Sequence, residues 1–127
     1  MYVKEVETTY TIVLATRLKR RVFQSRRIPV EVVSMAEEVI AGEGAGLLGN
    51  EFCDYGISLF VKCESMEKAR EIANRIRRAT SGPIRAKYPE LWKMPSLWNR
   101  NPLVFEGDMT PENRTRVTEY YESLKSR

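Results

Sequence analysis

The side chains best suited to chemistry in this sequence are basic, and they fall in two groups. Arg17, Lys19, Arg20, Arg21 and, a little later, Arg26 crowd together, while Arg70, Arg75, Arg77 and Arg78 recur along what reads as one helix. Guanidinium and ammonium groups at such density make charge-assisted hydrogen bonds to phosphate, and the net charge of +4 points the same way. A solvated loop and a basic helix exterior account for the same residues without any ligand. The sequence contains no histidine. That removes imidazole as a metal ligand and as a general base. Asp54 and Asp108 carry carboxylates able to take Mg, but nothing in the sequence brings them to a tyrosine. Gly42 to Gly49 lacks the Gly-Lys-Ser/Thr ending of a phosphate loop and reads as a connection, with room for Leu47 and Leu48 to start a short strand.

Positioning these groups requires a core, and 127 residues with 43% hydrophobic content suffice for one domain spanning 1–127. No apolar run approaches the ~18 residues of a membrane span, and the N-terminus, Met1 to Glu7, has acidic residues and no signal core. A soluble cytoplasmic protein that engages no membrane is expected. Cys53 and Cys63, read on one extended segment, are too far apart to pair and are expected as free thiols.

The strand pattern is clearest from Tyr55 to Cys63. Tyr55, Ile57, Leu59, Val61 and Cys63 share one face, and Gly56, Ser58, Phe60 and Lys62 the other, which predicts a central strand. Thr8 to Thr16 alternates likewise and predicts a first strand. Val32, Met35, Ala36, Val39 and Ile40 recur with helical spacing after Pro29. Ser65 caps a second helix with Ala69, Ile72, Ala73, Ile76 and Ala79 inward, which Ser81-Gly82-Pro83 is expected to interrupt. Trp92 and Trp98 read as covers of the core, the other use of an indole here being base stacking. Thr110, Pro111 and Glu112 announce a last helix.

Four segments in order resemble the small HUH-class single-tyrosine DNA transposases of the IS200/IS605-like type. These are the strand leading into a Lys/Arg-rich turn over Val13 to Phe23, the Glu51 to Cys63 stretch, Lys87-Tyr88-Pro89-Glu90-Leu91, and Ser96 to Arg100 followed by Leu103-Val104-Phe105. The resemblance implies a ferredoxin-like α+β fold, an antiparallel sheet with helices packed on one face in a transposase-like alpha/beta plait. It also implies DNA transposition through a nucleophilic tyrosine and a divalent metal, Mg or Mn, held by a His-hydrophobe-His pair and a Gln four residues after the tyrosine.

The His pair falls on Gly56 and Ser58. On the last helix two registers are open. One makes Tyr120 the nucleophile and places Leu124 at the Gln, and the other places Val117 at the nucleophile and Tyr121 at the Gln. Gly56, Ser58 and Leu124 are therefore read as vacated metal positions and Tyr120, or alternatively Tyr121, as a vestigial nucleophile. No bound metal and no cofactor are expected, because these side chains lack the donors a metal mechanism requires. Replacing Gly56 is expected to help the fold slightly, since glycine weakens strand interiors.

The function that follows is single-stranded or hairpin DNA binding by a decayed or repurposed transposase. Arg17, Lys19, Arg20, Arg21, Arg70, Arg77 and Arg78 would grip the DNA, and the protein would form a homodimer as the resemblance implies. The competing reading is a metal-free ferredoxin-like regulatory or protein-interaction module that binds no nucleic acid. An RNA-recognition domain fits less well, because Gly56 to Val61 lacks spaced surface aromatics.

Overall fold

Alternation within the first strand sets the layers. β1 (Thr8–Ala15) turns Tyr10, Ile12 and Leu14 into the main core and Val13 to the opposite face, where it meets Phe105 and Val117. A computed structural model describes residues 7–125. The segment before Glu7 read above for targeting lies outside them.

After β1 come two 3-10 turns, Arg17–Lys19 and Val22–Gln24, then α1 (Arg27–Gly42), β2 (Gly46–Cys53), β3 (Gly56–Cys63), α2 (Met66–Lys87), β4 (Leu103–Glu106) and α3 (Pro111–Ser123). The four strands form one antiparallel sheet in the order β2-β3-β1-β4. β3 is central, as its alternation predicts. Its Ile57, Leu59, Val61 and Cys63 face the same core as Ile28, Val32, Ala36 and Ile40 of α1 and Ala69, Ile72, Ala73 and Ile76 of α2. α1 and α2 thus cover one face of the sheet. α3 lies on the other, where Val117 is its one buried residue.

Two local expectations are revised. β2 begins inside the glycine-rich connection, at Gly46, and pairs along β3 as the reading of Leu47 and Leu48 as a strand start anticipates, but it runs on to Cys53, with a register shift between Leu47 and Gly49. Cys53 and Cys63 consequently sit on adjacent strands at opposite ends of the hairpin, and both thiols are free. α2 also runs unbroken through Pro83. Ile84 is buried, Arg85 donates from Nε to the Ser81 carbonyl (3.0 Å) and from Nη1 to the Met94 carbonyl (2.8 Å), and this anchoring outweighs the missing proline N–H. Ser65 caps α2 by accepting from the Lys68 amide (3.1 Å), and Thr110 caps α3 by accepting from the Asn113 amide (3.1 Å). No helix among the described residues is long and apolar enough to cross a membrane.

Candidate functional site

The basic residues clustered in the sequence are divided by the fold. Thr16 bridges to Trp98, Arg17 N–H donates to the Leu97 carbonyl (2.9 Å), and Asn99 N–H donates to the Ala15 carbonyl (2.8 Å). These bonds lay the segment before β4 antiparallel to the end of β1. They hold Arg17 beside Arg100 and opposite Arg77 and Arg78 of α2, around a hollow of about 320 Å³ floored by Trp98. A neighbouring hollow of about 400 Å³ shares Asn74 and Arg100 and adds Arg70 and Asn101. Lys19 points elsewhere, its ammonium 5.7 Å from the Tyr55 ring, and Arg26 lies 5.3 Å from the Phe52 ring. Arg20 and Arg21 are exposed on the turn that follows. Nothing local in the sequence marks Arg100 as part of a basic cluster, because it stands alone in an irregular Trp/Pro-rich stretch.

Trp98 is buried, and its indole N–H donates to Thr80 Oγ1 at 2.8 Å. Trp92 is 64% exposed, which corrects the expectation that both indoles cover the core. Its N–H donates to the Ala86 carbonyl (3.1 Å) at the end of α2, which holds the ring outside.

On the opposite face, a cleft of about 240 Å³ between the β2–β3 hairpin and α3 is lined by residues including Cys53, Ser58, Val117 and Tyr121. Tyr121 lies directly on Gly56. A Cβ on Gly56 would stand 2.6 Å from Cε1 and Cζ of that ring and closer still to its hydroxyl oxygen. Tyr55 packs edge-on against the same ring, with centroids 5.2 Å apart. Burial pushes the Tyr121 phenol far above the ordinary tyrosine range. Replacement of Gly56 is therefore opposed by an aromatic ring, contrary to the gain expected from strand propensity.

Tyr120 points away from this cleft. Its hydroxyl donates to the Asn101 carbonyl, and burial raises its pKa against the opposing pull of the Asn99 side chain and the Arg77 charge. Leu124 is the first residue beyond α3 and does not line the cleft. Tyr121, one helical turn after Val117, is the side chain of α3 that meets Gly56.

The residues present do not fit the metal that the resemblance implies. Gly56 has no donor atom and no room for one, Ser58 offers a neutral hydroxyl, and Glu51, the carboxylate of the cleft, is paired with Arg114 at 2.9 Å. Among the described residues no three His, Cys, Asp or Glu side chains gather to hold a metal ion.

No protein-family profile matches the sequence, and no curated protein matches it either. Solved structures do match. One is described as a proposed transposase of Deinococcus radiodurans, with a TM-score of 0.83 at 16% identity over 99% of this chain and 95% of that one. The fold is that of a transposase. A REP-associated tyrosine transposase bound to a REP hairpin is also similar, with a TM-score of 0.51 at 10% identity, covering 92% of this chain and 65% of that one. The four-stranded antiparallel sheet and three helices are thus the α+β architecture expected from the sequence, with the difference that α3 packs on the second face, where Val13 and Phe105 receive Val117.

Proposed function

We propose that this chain is a DNA-binding protein of the single-strand transposase class whose strand-cleaving chemistry has been lost, serving transposition or a repurposed role. The observation that carries the binding half is the meeting of Arg17, Arg77, Arg78 and Arg100, from three separate segments, around one hollow with no carboxylate in its lining. Like charges brought together without counter-charge favour a polyanion, and a phosphate backbone is the commonest such ligand. The hairpin-bound transposase of similar fold supports the same reading.

Loss of cleavage is supported by the other face. A tyrosine attacking a phosphodiester needs a cation to neutralise the charge that develops, and Tyr121 fills the place from which a ligand at Gly56 would reach one. The contact also favours the register in which Tyr121 stands at the Gln position and Val117 at that of the nucleophile. Tyr120 is then a neighbour of the site rather than its attacking group.

A homodimer is part of the proposal. β2 is an edge strand with Leu48 and Phe52 exposed, and such an edge invites pairing with a second copy. Light scattering at micromolar protein is expected to give twice the 14.7 kDa of one chain, and a monomer would refute the dimer.

Binding is tested by gel shift with hairpin and single-stranded DNA at low salt. A shift that weakens steeply as salt rises is expected. No shift with either DNA would overturn this reading in favour of an interaction module of the same shape. Denaturing gels of the same mixtures with added Mn should show no covalent protein–DNA adduct, and an adduct would overturn the loss of chemistry.

A further inference from the structure

Arg75 of α2 is paired with Glu71 and Glu43, at 3.3 Å each, whereas Arg70, Arg77 and Arg78 of the same helix and Arg17 and Arg100 across from it have no ion pair among the described residues. The unpaired five are the arginines that line the two hollows. We propose that the groove between α2 and the segment leading into β4 is the path of one nucleic-acid strand, holding two consecutive backbone phosphates between guanidinium groups on its opposite walls. The proposal rests on the DNA-binding reading and narrows it to a place and to one strand.

The groove has cationic walls on both sides. α2 supplies Arg70, Arg77 and Arg78 to one, and Arg17 and Arg100 stand on the other, on backbone fixed by the bonds between Ala15–Arg17 and Leu97–Asn99. A single backbone lying between them is contacted from two directions, while a duplex resting on the surface presents its phosphates to one side only. The hollows adjoin at Asn74 and Arg100, which gives the path two stations. Arg77 is half-buried in the α2 wall. Its Nη1 is held by Asn74 Oδ1 at 3.0 Å, yet its Nε is buried without a hydrogen-bond acceptor, and burial lowers the pKa of the group. An anion in the groove would offset the partly desolvated charge of the group.

The test is fluorescence anisotropy of a labelled short oligothymidylate and of a blunt duplex, titrated with the full chain at several salt concentrations. The oligothymidylate is expected to bind more tightly. Arg77→Gln and Arg100→Gln should each weaken it about tenfold and reduce the slope of log affinity against log salt by about 0.7, the amount for one single-strand phosphate contact. Lys62→Gln, an equal loss of charge on an exposed strand residue, should leave the slope unchanged. Arg100 is exposed, so its variant carries the test even where Arg77→Gln disturbs folding. Binding by the unaltered chain with the slope preserved in both groove variants would place the strand elsewhere and leave the DNA-binding reading standing. Equal affinity for the duplex, with the same slope changes, would overturn the single-strand path. Absence of binding to both probes at low salt would remove the DNA-binding reading and the groove with it.

Discussion

Tyr121 and Gly56 occupy each other's space. The phenol ring lies where a side chain of residue 56 would begin, with Cε1 and Cζ 2.6 Å from the position of an added Cβ. Gly56→Ala must therefore displace the ring from Tyr55 or lift α3 from the sheet. Overpacking of this kind costs about 1–3 kcal/mol. Urea denaturation should show a lower midpoint for Gly56→Ala, and Tyr121→Ala in the same chain should recover part of the loss. A Gly56→Ala variant as stable as the unaltered protein would mean that α3 does not rest on the sheet as described.

Rebuilding a metal site separates the two registers of α3. Gly56→His with Ser58→His alone should bind Mn or Zn weakly or not at all, because the Tyr121 ring stands in the way. Adding Tyr121→Gln removes the obstruction and supplies a third donor, so calorimetry should then detect binding. Adding Leu124→Gln instead should not, since residue 124 lies past the end of α3. Binding by the Leu124→Gln combination and not by the Tyr121→Gln one would restore Tyr120 to the nucleophile register.

Burial raises the pKa of Tyr121 and of Tyr120, and the sign of the stability effect follows. An unfolded tyrosine ionises near pH 10, while the folded protein keeps these phenols neutral. Above that pH the unfolded chain holds fewer protons than the folded one, so stability falls as pH rises. The contribution is complete below about pH 10 and is lost above it. Denaturation midpoints measured from pH 8 to 11 should decline less steeply for Tyr121→Phe, and parallel curves would show that this phenol is not protected.

The Trp98 indole and Thr80 are both buried, and Thr80 Oγ1 accepts from the indole while donating to the Ile76 carbonyl at 2.7 Å. Thr80→Val keeps the volume and leaves the indole N–H without an acceptor. The expected loss is about 1–3 kcal/mol by thermal or urea denaturation. Thr80→Ser, which keeps the hydroxyl, should cost clearly less. Because Trp98 floors the arginine groove, the Val variant should also weaken DNA binding.

The two thiols should differ in reactivity. Cys63 is buried, and burial pushes its thiol pKa up, whereas Cys53 is half-buried at the cleft beneath α3. A thiol reagent applied to the folded protein should modify Cys53 first, with Cys63 reacting only on unfolding. Mass spectrometry of the modified peptides reads the order, and equal rates would contradict the packing around Cys63.

Much of this protein was legible in the chain because it is local. Period-two alternation fixed β1 and β3 and their inward residues, the cap residues Ser65 and Thr110 marked where α2 and α3 begin, and four ordered segments were enough to suggest the fold that solved structures share. Where the chain misled, local preference was overruled by contacts distant in sequence. The strand that starts near Leu47 runs on to Cys53 because β3 offers it a ladder, and α2 passes through Pro83 because Ile84 and Arg85 are anchored beyond it. The same cause decides the sites. Arg100 joins Arg17, Arg77 and Arg78 only through the pairing of the Leu97 segment with the end of β1, and Tyr121 meets Gly56 only because α3 crosses the far face of the sheet. Residue types and spacing specify what a side chain can do and which way it faces on its own element. Which groups meet is set by the packing of elements many residues apart, and no short window of sequence carries that geometry.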